Sequence, residues 1–277
     1  MKFFISVDME GVAGTMSWED FEKEGLRYRK IMTNEVNAVI EGIKDAEIEV
    51  KKIVVCDSHG KMNNILFEEL PKGTLVTRGV PRPYGMMEGL NSTFELVFLI
   101  GHHAKAGTVS APMDHTFSSS SIYSIKVNGK EMSETTINAA YAGHFGVPVG
   151  LVAGDAKLIE HTQQTLPEGV EYVVTKYGIS RFAVTTRHPK DIEEELREKA
   201  KLAVLKAKKT PIFKISPPLE LELQLMDTLR TDLVTLIPGI ERTSGRTVKF
   251  KPKNVAELVR IIRLASILAF TGGQWFK

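Results

Sequence analysis

The feature that most constrains the fold is the alternation of short, continuously apolar segments with longer segments of helical periodicity. The apolar segments do not alternate with polar side chains, so each predicts a strand that is covered on both faces. Helical spacing over residues 32–46 predicts a helix between the first two segments. This order predicts an α/β fold with a mostly parallel sheet flanked by helices. The apolar segments are residues 3–7 (FFISV), 52–56 (KIVVC), 95–100 (ELVFLI) and 147–153 (VPVGLVA).

An antiparallel hairpin is predicted to interrupt this alternation of strands and helices. Residues 121–127 alternate apolar and polar side chains, and residues 130–132 provide a short returning strand. Asn128-Gly129 between them has the composition of a two-residue type I′ turn, which needs a positive φ at both positions. The hairpin therefore predicts a local antiparallel element beside the parallel sheet.

The C-terminal part of the chain predicts a smaller α+β unit. Residues 191–208 have the pattern of a charged amphipathic helix, residues 219–225 (LELELQL) that of a half-exposed strand, and residues 254–270 that of a final helix. We expect a boundary near Arg187, with residues 1–187 as one domain and residues 188–277 as a smaller C-terminal domain.

Charge and cysteine content narrow the classes of function. The 277 residues carry 36 basic and 34 acidic side chains, a formal net charge of +2, whereas a nucleic-acid-binding protein usually carries a concentrated basic excess. Cys56 is the only cysteine, so no intrachain disulfide can form and we expect a reducing compartment. The apolar runs are shorter than a signal-peptide core or a membrane span needs. We therefore expect a cytoplasmic protein that binds neither nucleic acid nor a membrane.

Carboxylates and imidazoles follow three of the predicted parallel strands. Asp8 and Glu10 follow the first strand, His59 lies in the Asp-Ser-His that ends the second, and the adjacent His102 and His103 follow the third. Ligand sites in open α/β sheets lie outside the carboxyl ends of the strands. The three strand ends therefore predict one shared site.

The residue types at this site are typical metal ligands. Two carboxylates with two imidazoles suit Zn²⁺ or a similar borderline ion, and a strand-end carboxylate can also bridge two ions. Since His102 and His103 point to opposite sides of a strand, we expect only one of them to be a ligand. Glu131 and Glu134 follow the hairpin as further candidates, and spacing alone does not choose between them.

Other active-site motifs are absent from the sequence, and two alternatives stay open. There is no Gly-x-Gly-x-x-Gly, Walker A loop, His-Glu-x-x-His or Gly-x-Ser-x-Gly, so a nucleotide cofactor, a zincin site and a serine nucleophile lack support. An Asp-x-Glu after a first strand also begins some nucleases, which makes a two-metal nuclease or phosphoesterase one alternative. The second is a non-catalytic assembly protein stabilised by metal, although structural zinc sites normally use cysteine and histidine.

Several motifs together resemble the DppA-type D-aminopeptidases, a family of zinc metallopeptidases. They occur in the family's order, densely over residues 1–180 and more loosely towards the C-terminus. The motifs include residues 6–11 (SVDMEG), 57–64 (DSHGKMNN), 101–104 (GHHA), 113–115 (MDH) and 152–155 (VAGD).

The resemblance implies a peptidase with two zinc ions per chain, held in residues 1–187. It further implies that Asp8 bridges the two ions and that His115 matches the family's proposed catalytic histidine. The expected substrates are short peptides, with an N-terminal D-residue such as D-alanine. The expected assembly is a homodecamer of two pentameric rings, with the active sites facing an inner chamber. The positions that match the family's zinc ligands are Asp8, Glu10, His59, His103 and Glu134.

Overall fold

The structure is a computed structural model that describes residues 1–275. Within these residues the strands, in chain order, are β1 (Lys2–Val7), β2 (Lys52–Asp57), β3 (Thr74–Thr77), β4 (Leu96–His102), β5 (Ile122–Val127), β6 (Lys130–Glu131), β7 (Val149–Asp155), β8 (Glu171–Ser180), β9 (Ala183–Thr186), β10 (Leu221–Leu225), β11 (Glu241–Arg242) and β12 (Thr247–Phe250). The helices are α1 (Trp18–Lys23), α2 (Gly25–Asp45), α3 (Glu134–His144), α4 (Ala156–Thr165), α5 (Pro189–Lys206), α6 (Thr228–Val234) and α7 (Val255–Trp275). Single 3₁₀ turns lie at Phe67–Glu69, Gly85–Met87 and Ala207–Lys209.

The larger sheet confirms the predicted α/β class. Its seven strands lie in the order β3-β2-β1-β4-β7-β8-β9, and all neighbouring pairs are parallel except β8 with β9. Alternate side chains of β1 enter different cores: Phe3 and Ile5 pack with α2 and α5 on one face, and Phe4 packs with α3, α7 and the second sheet on the other. Both faces of the central strands are therefore buried, as their continuous apolar sequence requires.

The predicted hairpin is present but belongs to a larger element. β5 and β6 pair antiparallel, and the turn residues Asn128 (φ 51°) and Gly129 (φ 77°) both have positive φ, as a type I′ turn requires. The hairpin continues into a five-stranded antiparallel sheet in the order β11-β12-β10-β5-β6. β5 also pairs with β10, which is far away in the sequence. Nothing in the sequence indicates this pairing except the alternation of apolar and polar residues within each strand.

Helix boundaries differ from the sequence-based ones at several places. α2 begins at Gly25 rather than at residue 32. The sequence did not indicate its first turns, because they are largely exposed and carry few apolar residues. The short helices α1, α4 and α6 were not predicted. α7 runs on to Trp275, and the expected continuation of the C-terminal domain through residues 276–277 lies outside the described residues.

The division at residue 187 stays a prediction. After that point α5 packs against α2, and β10 pairs with β5, so the segment contributes to both layers of the molecule. Among the described residues, none of the helices combines the length and the apolar character that a bilayer crossing needs.

Candidate metal centre

The carboxyl ends of β2, β1 and β4 lie side by side, because these are neighbouring parallel strands. The loop between β4 and β5 and the start of α3 reach the same edge of the sheet. The structure thereby brings together the six residues that the family resemblance implies for the site. They are Asp8 and Glu10 after β1, His59 after β2, His103 after β4, His115 in the following loop and Glu134 at the first turn of α3.

The loop after β1 is held against β4 by its backbone. The Asp8 N–H donates to the Ile100 carbonyl at 2.9 Å, and the Gly11 N–H donates to the Gly101 carbonyl at 2.7 Å. A Cβ on Gly11 would lie 1.7 Å from the His102 carbonyl oxygen. Only glycine allows so close an approach, so Gly11 keeps the loop seated where its two carboxylates face the strand ends.

A buried lysine on β8 fixes the same loop from the other side. The Lys176 ammonium is fully buried, and burial lowers its pKa to about 8. It donates to backbone carbonyls of the loop rather than to a carboxylate, so it acts as a cationic clamp on the chain that carries the acidic residues. The carbonyls that accept from it are those of Glu10, Val12 (3.0 Å) and Thr15 (2.6 Å).

His59 is positioned by hydrogen bonds within the loop after β2. The Asp57 carboxylate accepts from the Ile65 N–H at 2.8 Å and from the Asn64 side-chain amide at 2.9 Å. The same amide donates to the His59 carbonyl at 2.8 Å. The edge of the Phe21 ring packs on the imidazole, with ring centroids 4.8 Å apart. Asp57 therefore organises the loop, whereas His59 faces the cluster.

His103 is oriented by its own backbone neighbour. Its Nδ1–H donates to the Ala104 carbonyl at 2.9 Å, and the Ala104 N–H donates to the Asp155 carboxylate at 2.8 Å. This arrangement leaves Nε2 as the ring nitrogen of His103 that is directed into the site. Among residues 1–275, that buried atom has no hydrogen-bond partner.

Glu134 and His115 complete the cluster from the far side. Glu134 follows the N-cap Ser133 of α3, and its carboxylate accepts from the Phe117 N–H at 2.6 Å. His115 donates Nδ1–H to the Met113 carbonyl at 2.8 Å, so its Nε2 is also free to accept. The rings of His103 and His115 stack with centroids 4.1 Å apart.

Two of the alternatives lie outside the cluster. His102 turns the other way, with Nδ1 at 3.1 Å from the Thr135 hydroxyl, and burial lowers its pKa to about 4. Glu131 forms an ion pair with Lys105 at 2.5 Å on the surface of the hairpin. The structure therefore places His103 rather than its neighbour in the cluster, and Glu134 rather than Glu131.

Asp8 lies at the centre of the arrangement. Its Oδ1 is 3.5 Å from Nδ1 of His59, and its Oδ2 is 3.6 Å from Nε2 of His103. Both separations are longer than an ordinary hydrogen bond. The two oxygens of one carboxylate thus face two imidazoles that come from different strand ends.

The two glutamates each lie between two imidazoles as well. Glu10 is 2.8 Å from His59 through Oε2 and 3.8 Å from Nε2 of His115 through Oε1. Glu134 is 3.3 Å from Nε2 of His103 and 3.6 Å from Nε2 of His115. The result is a compact set of three carboxylates and three imidazoles, buried except that His59 and His115 are partly exposed.

The charges in this set are strongly coupled. Burial and the charge of Glu10 raise the pKa of Asp8 to about 7. Burial alone would raise the pKa of Glu134, but the charge of His103 lowers it to about 2. Burial opposes protonation of His103, yet Glu134 raises its pKa to about 10. Burial and the charge of His103 together lower the pKa of His115, which favours a neutral His115.

The residues of the cluster fit a divalent metal. His103, His115 and Glu134 form one group whose ligand atoms all lie within 4.8 Å of one another, and Asp8, Glu10 and His103 form another. Nitrogen and carboxylate ligands suit zinc. The orphaned Nε2 of His103 is the atom that a metal would satisfy, since a buried polar atom normally has a partner.

Trp18 belongs to this site and was not found from the sequence. Its indole N–H donates to Oε1 of Glu10 at 3.0 Å, and its ring packs edge-on against His115 with centroids 5.5 Å apart. The available signal was the capping box of Ser17 and Asp20, which marks the start of α1. Trp18 therefore orients one acidic and one imidazole side chain together.

The cluster opens into a cleft of about 640 Å³. One wall carries Trp18, and the serine-rich segment after Phe117 forms another. α7 contributes Arg263, Ser266 and Phe270 to the lining. A small substrate that enters the cleft thus meets both the polar cluster and one face of this helix.

Known proteins are similar to this chain in both sequence and fold. The sequence pattern of the M55 peptidase family, described as D-aminopeptidase, matches residues 1–264. A D-aminopeptidase of Bacillus subtilis (strain 168) is 33% identical over 281 residues, covering 97% of this chain and 98% of the relative. A solved structure described as the Zn-dependent D-aminopeptidase DppA from Bacillus subtilis, a self-compartmentalizing protease, superposes with a TM-score of 0.91 at 30% identity, and 98% of each chain is covered.

Proposed function

The chain belongs to the D-aminopeptidase family of M55 metallopeptidases, and from that premise we propose its specific reaction. It removes the N-terminal D-residue from short peptides with the help of two zinc ions per chain. The match along nearly the full length of both proteins supports the peptidase activity. The substrate chirality, the number of ions and the roles of individual residues are the content of the proposal.

The observation that carries the proposal is the compact set of three carboxylates and three imidazoles at the strand ends. Asp8, Glu10 and His59 would hold one ion, and Asp8, His103 and Glu134 the other. Asp8 would serve both ions, because its two oxygens face imidazoles from different strand ends. When bound, a pair of zinc ions supplies Lewis acidity and a water whose pKa is lowered to about 7.

His115 is the group that moves a proton in this scheme. Its Nδ1–H is committed to the Met113 carbonyl, so Nε2 carries the lone pair on the cleft side. Burial and the neighbouring His103 lower its pKa, which keeps the imidazole neutral and able to accept a proton. It would take the proton during attack and return it to the leaving amine, the ordinary cycle of a general base and acid.

The assembly is part of the proposal. The structural relative is described as self-compartmentalizing, and we expect this chain to form stacked pentameric rings, a homodecamer whose chamber admits only short peptides. We expect it to act in the cytoplasm. Light scattering measures the mass of the particle, and a stable monomer or dimer would refute the chamber.

The decisive experiment combines metal analysis with a substrate panel. Zinc-loaded protein is analysed for ions per chain and assayed on D-alanyl and L-alanyl p-nitroanilides, with single-stranded DNA as the control for nuclease activity. We expect two ions and preferred cleavage of the D-substrate. One ion per chain refutes the two-zinc centre, preference for the L-substrate refutes the proposed chirality, and cleavage of DNA alone refutes the peptidase assignment for this site.

A further inference from the structure

The wall of the cleft formed by α7 contains a cation that the proposed chemistry does not use. Arg263 lies on the same helix face as Ser266, Ile267 and Phe270, three, four and seven positions later, which is the spacing of one face. All four line the cleft that contains the metal cluster. Among the lining residues of that cleft, Arg263 is the only lysine or arginine.

The surroundings of Arg263 fix its side chain, and two charges of opposite sign, those of Glu134 and Arg82, act on it. Its stem crosses Gly85, where a Cβ would lie 3.1 Å from Cδ and 3.3 Å from Nε. Within residues 1–275, the buried Nε has no hydrogen-bond partner. The glutamates of the cluster, Glu10 and Glu134, face imidazoles instead. An arginine stays protonated even when partly buried, so the cleft holds a positioned cation with unused donors.

This cation lines the same cleft as Glu10, His59 and His115 of the cluster, so both ends of a short bound peptide would share one cleft with it. The amino-terminal end of the substrate is expected at the acidic cluster, where its scissile bond is cleaved. A peptide of two or three residues spans only about 7–11 Å when extended, so its terminal carboxylate is still inside the cleft. A guanidinium presents a planar fork that matches a carboxylate through two parallel hydrogen bonds.

We propose that Arg263 binds the C-terminal carboxylate of a short peptide substrate and so makes the enzyme selective for free peptides over C-terminally blocked ones. This inference rests on the proposed peptidase function, and it adds a subsite for an anion to that site. The hydroxyls of Ser118, Ser119 and Ser120 lie along the same cleft and provide neutral polar surroundings for the carboxylate.

The test compares two substrates that differ only at this group, D-Ala-D-Ala and its C-terminal amide. For the wild-type enzyme we expect kcat/KM to favour the free acid. In R263M the ratio of acid to amide should fall about 10- to 100-fold, mainly through KM for the acid, which is the usual value of a hydrogen bond to a charged group. R263K keeps the charge but not the fork, so its ratio should fall less.

A matched control is available one turn away. Arg260 is exposed and lines the neighbouring cavity but not the metal cleft, so R260M should leave the ratio unchanged. A wild-type ratio near one, or an unchanged ratio in R263M or R263K, would overturn the inference. If R263M does not fold, the acid-to-amide ratios of the wild type and of R263K still test the inference.

A binding measurement separates this inference from the proposed function. A D-Ala-D-Ala analogue with a reduced peptide bond cannot be hydrolysed, so calorimetry reports its affinity whether or not the protein is a peptidase. We expect the free acid to bind more tightly than its amide in the wild type and this difference to shrink in R263M. Equal affinities would overturn the carboxylate subsite, whereas a lack of turnover with carboxylate-dependent binding would refute only the peptidase.

Discussion

Asp8 and Asp57 occupy neighbouring strand ends but have opposite surroundings. The oxygens of Asp57 accept hydrogen bonds from the Ile65 N–H and from the side-chain amide of Asn64. Among residues 1–275, the hydrogen bond that Asp8 accepts comes from the N–H of the next residue, Met9, and its oxygens otherwise face two imidazoles at 3.5 and 3.6 Å. One carboxylate is satisfied by its own loop, and the other is not.

The difference teaches how to separate structural from ligand carboxylates at a strand end. Asp155, at the end of β7, resembles Asp57, since it accepts from the N–H groups of Ala104 and Leu158. Each N–H donor favours the ionised form of the carboxylate without a cation, and at Asp155 these bonds counteract the burial that raises its pKa. Asp8 lacks those donors and is buried, so it is the strand-end aspartate that a metal ion would stabilise.

The largest expected effect is that of Asp8→Ala. A bridging ligand serves both ions, so the variant should lose zinc from both positions and lose at least about 10⁴-fold in turnover, more than one acid–base group supplies. Elemental analysis and the peptide assay measure this. Glu10→Ala is the comparison variant, and it should lose less metal. Equal zinc content in Asp8→Ala and the wild type would contradict the bridging role.

His115→Ala has the next largest effect and sharpens the difference between ligand and proton carrier. If His115 is catalytic, the variant keeps its zinc and its assembly but loses about 10²–10⁴-fold in turnover, the usual contribution of a positioned acid or base. His115 also groups geometrically with His103 and Glu134. A drop in zinc content in parallel with the rate would therefore assign it as a ligand, and near-wild-type turnover would remove it from the mechanism.

Sequence reasoning found Asp8, Glu10, His59 and the His102-His103 pair because they sit at strand ends, whereas His115 and the choice of Glu134 came from the family resemblance. The rule that parallel strands share a carboxyl edge brings Asp8, His59 and His103 together although they are far apart in sequence. The same reasoning could not choose between His102 and His103, because that choice depends on how the chain leaves β4. The family resemblance supplied that choice, and the geometry agrees with it.

The part of the cleft lined by α7 could not be predicted in the same way. Arg263 reaches the site because α7 packs against α3 and α6, and no spacing within α7 indicates which loop it will face. Trp18 lies on a six-residue helix without a buried residue, so no apolar periodicity marked it. Lys176 did leave a signal, a lysine in a largely apolar strand, but its backbone partners in the loop after β1 appear only in three dimensions.

Asp57→Asn tests the structural side of the comparison and should change stability rather than chemistry. The substitution replaces one acceptor oxygen by an amide that cannot accept from the N–H groups of the loop. We expect the free energy of unfolding to fall by about 1–3 kcal/mol, the cost of leaving a buried donor unpaired. Denaturant unfolding measures it. Zinc content at saturating zinc should stay at the wild-type level, and loss of one ion without loss of stability would make Asp57 a ligand.

The last expected effect appears only as a pH dependence of stability, and it concerns Glu35, a buried carboxylate with neither a full set of donors nor an imidazole. Its Oε1 accepts from the Ala13 N–H at 2.9 Å, while Oε2 has no partner among residues 1–275. Burial raises its pKa from 4.5 to about 8. Between pH 4.5 and 8, Glu35 therefore holds a proton in the folded state but not in the unfolded state. This proton stabilises the folded protein fully below pH 4.5, and the stabilisation is lost as the pH rises through 8.

Glu35→Gln should remove this dependence, because the amide is neutral at every pH. Between pH 5.5 and 7.5 the wild type is expected to lose about 1 kcal/mol per pH unit relative to the variant. Urea unfolding at a series of pH values, with the same zinc concentration for both proteins, isolates the difference from the other titrating groups. Parallel curves would mean that Glu35 is ionised in the folded protein. Its partial hydrogen bonding would then suffice for a buried carboxylate, and the distinction drawn between Asp8 and Asp57 would lose its physical basis.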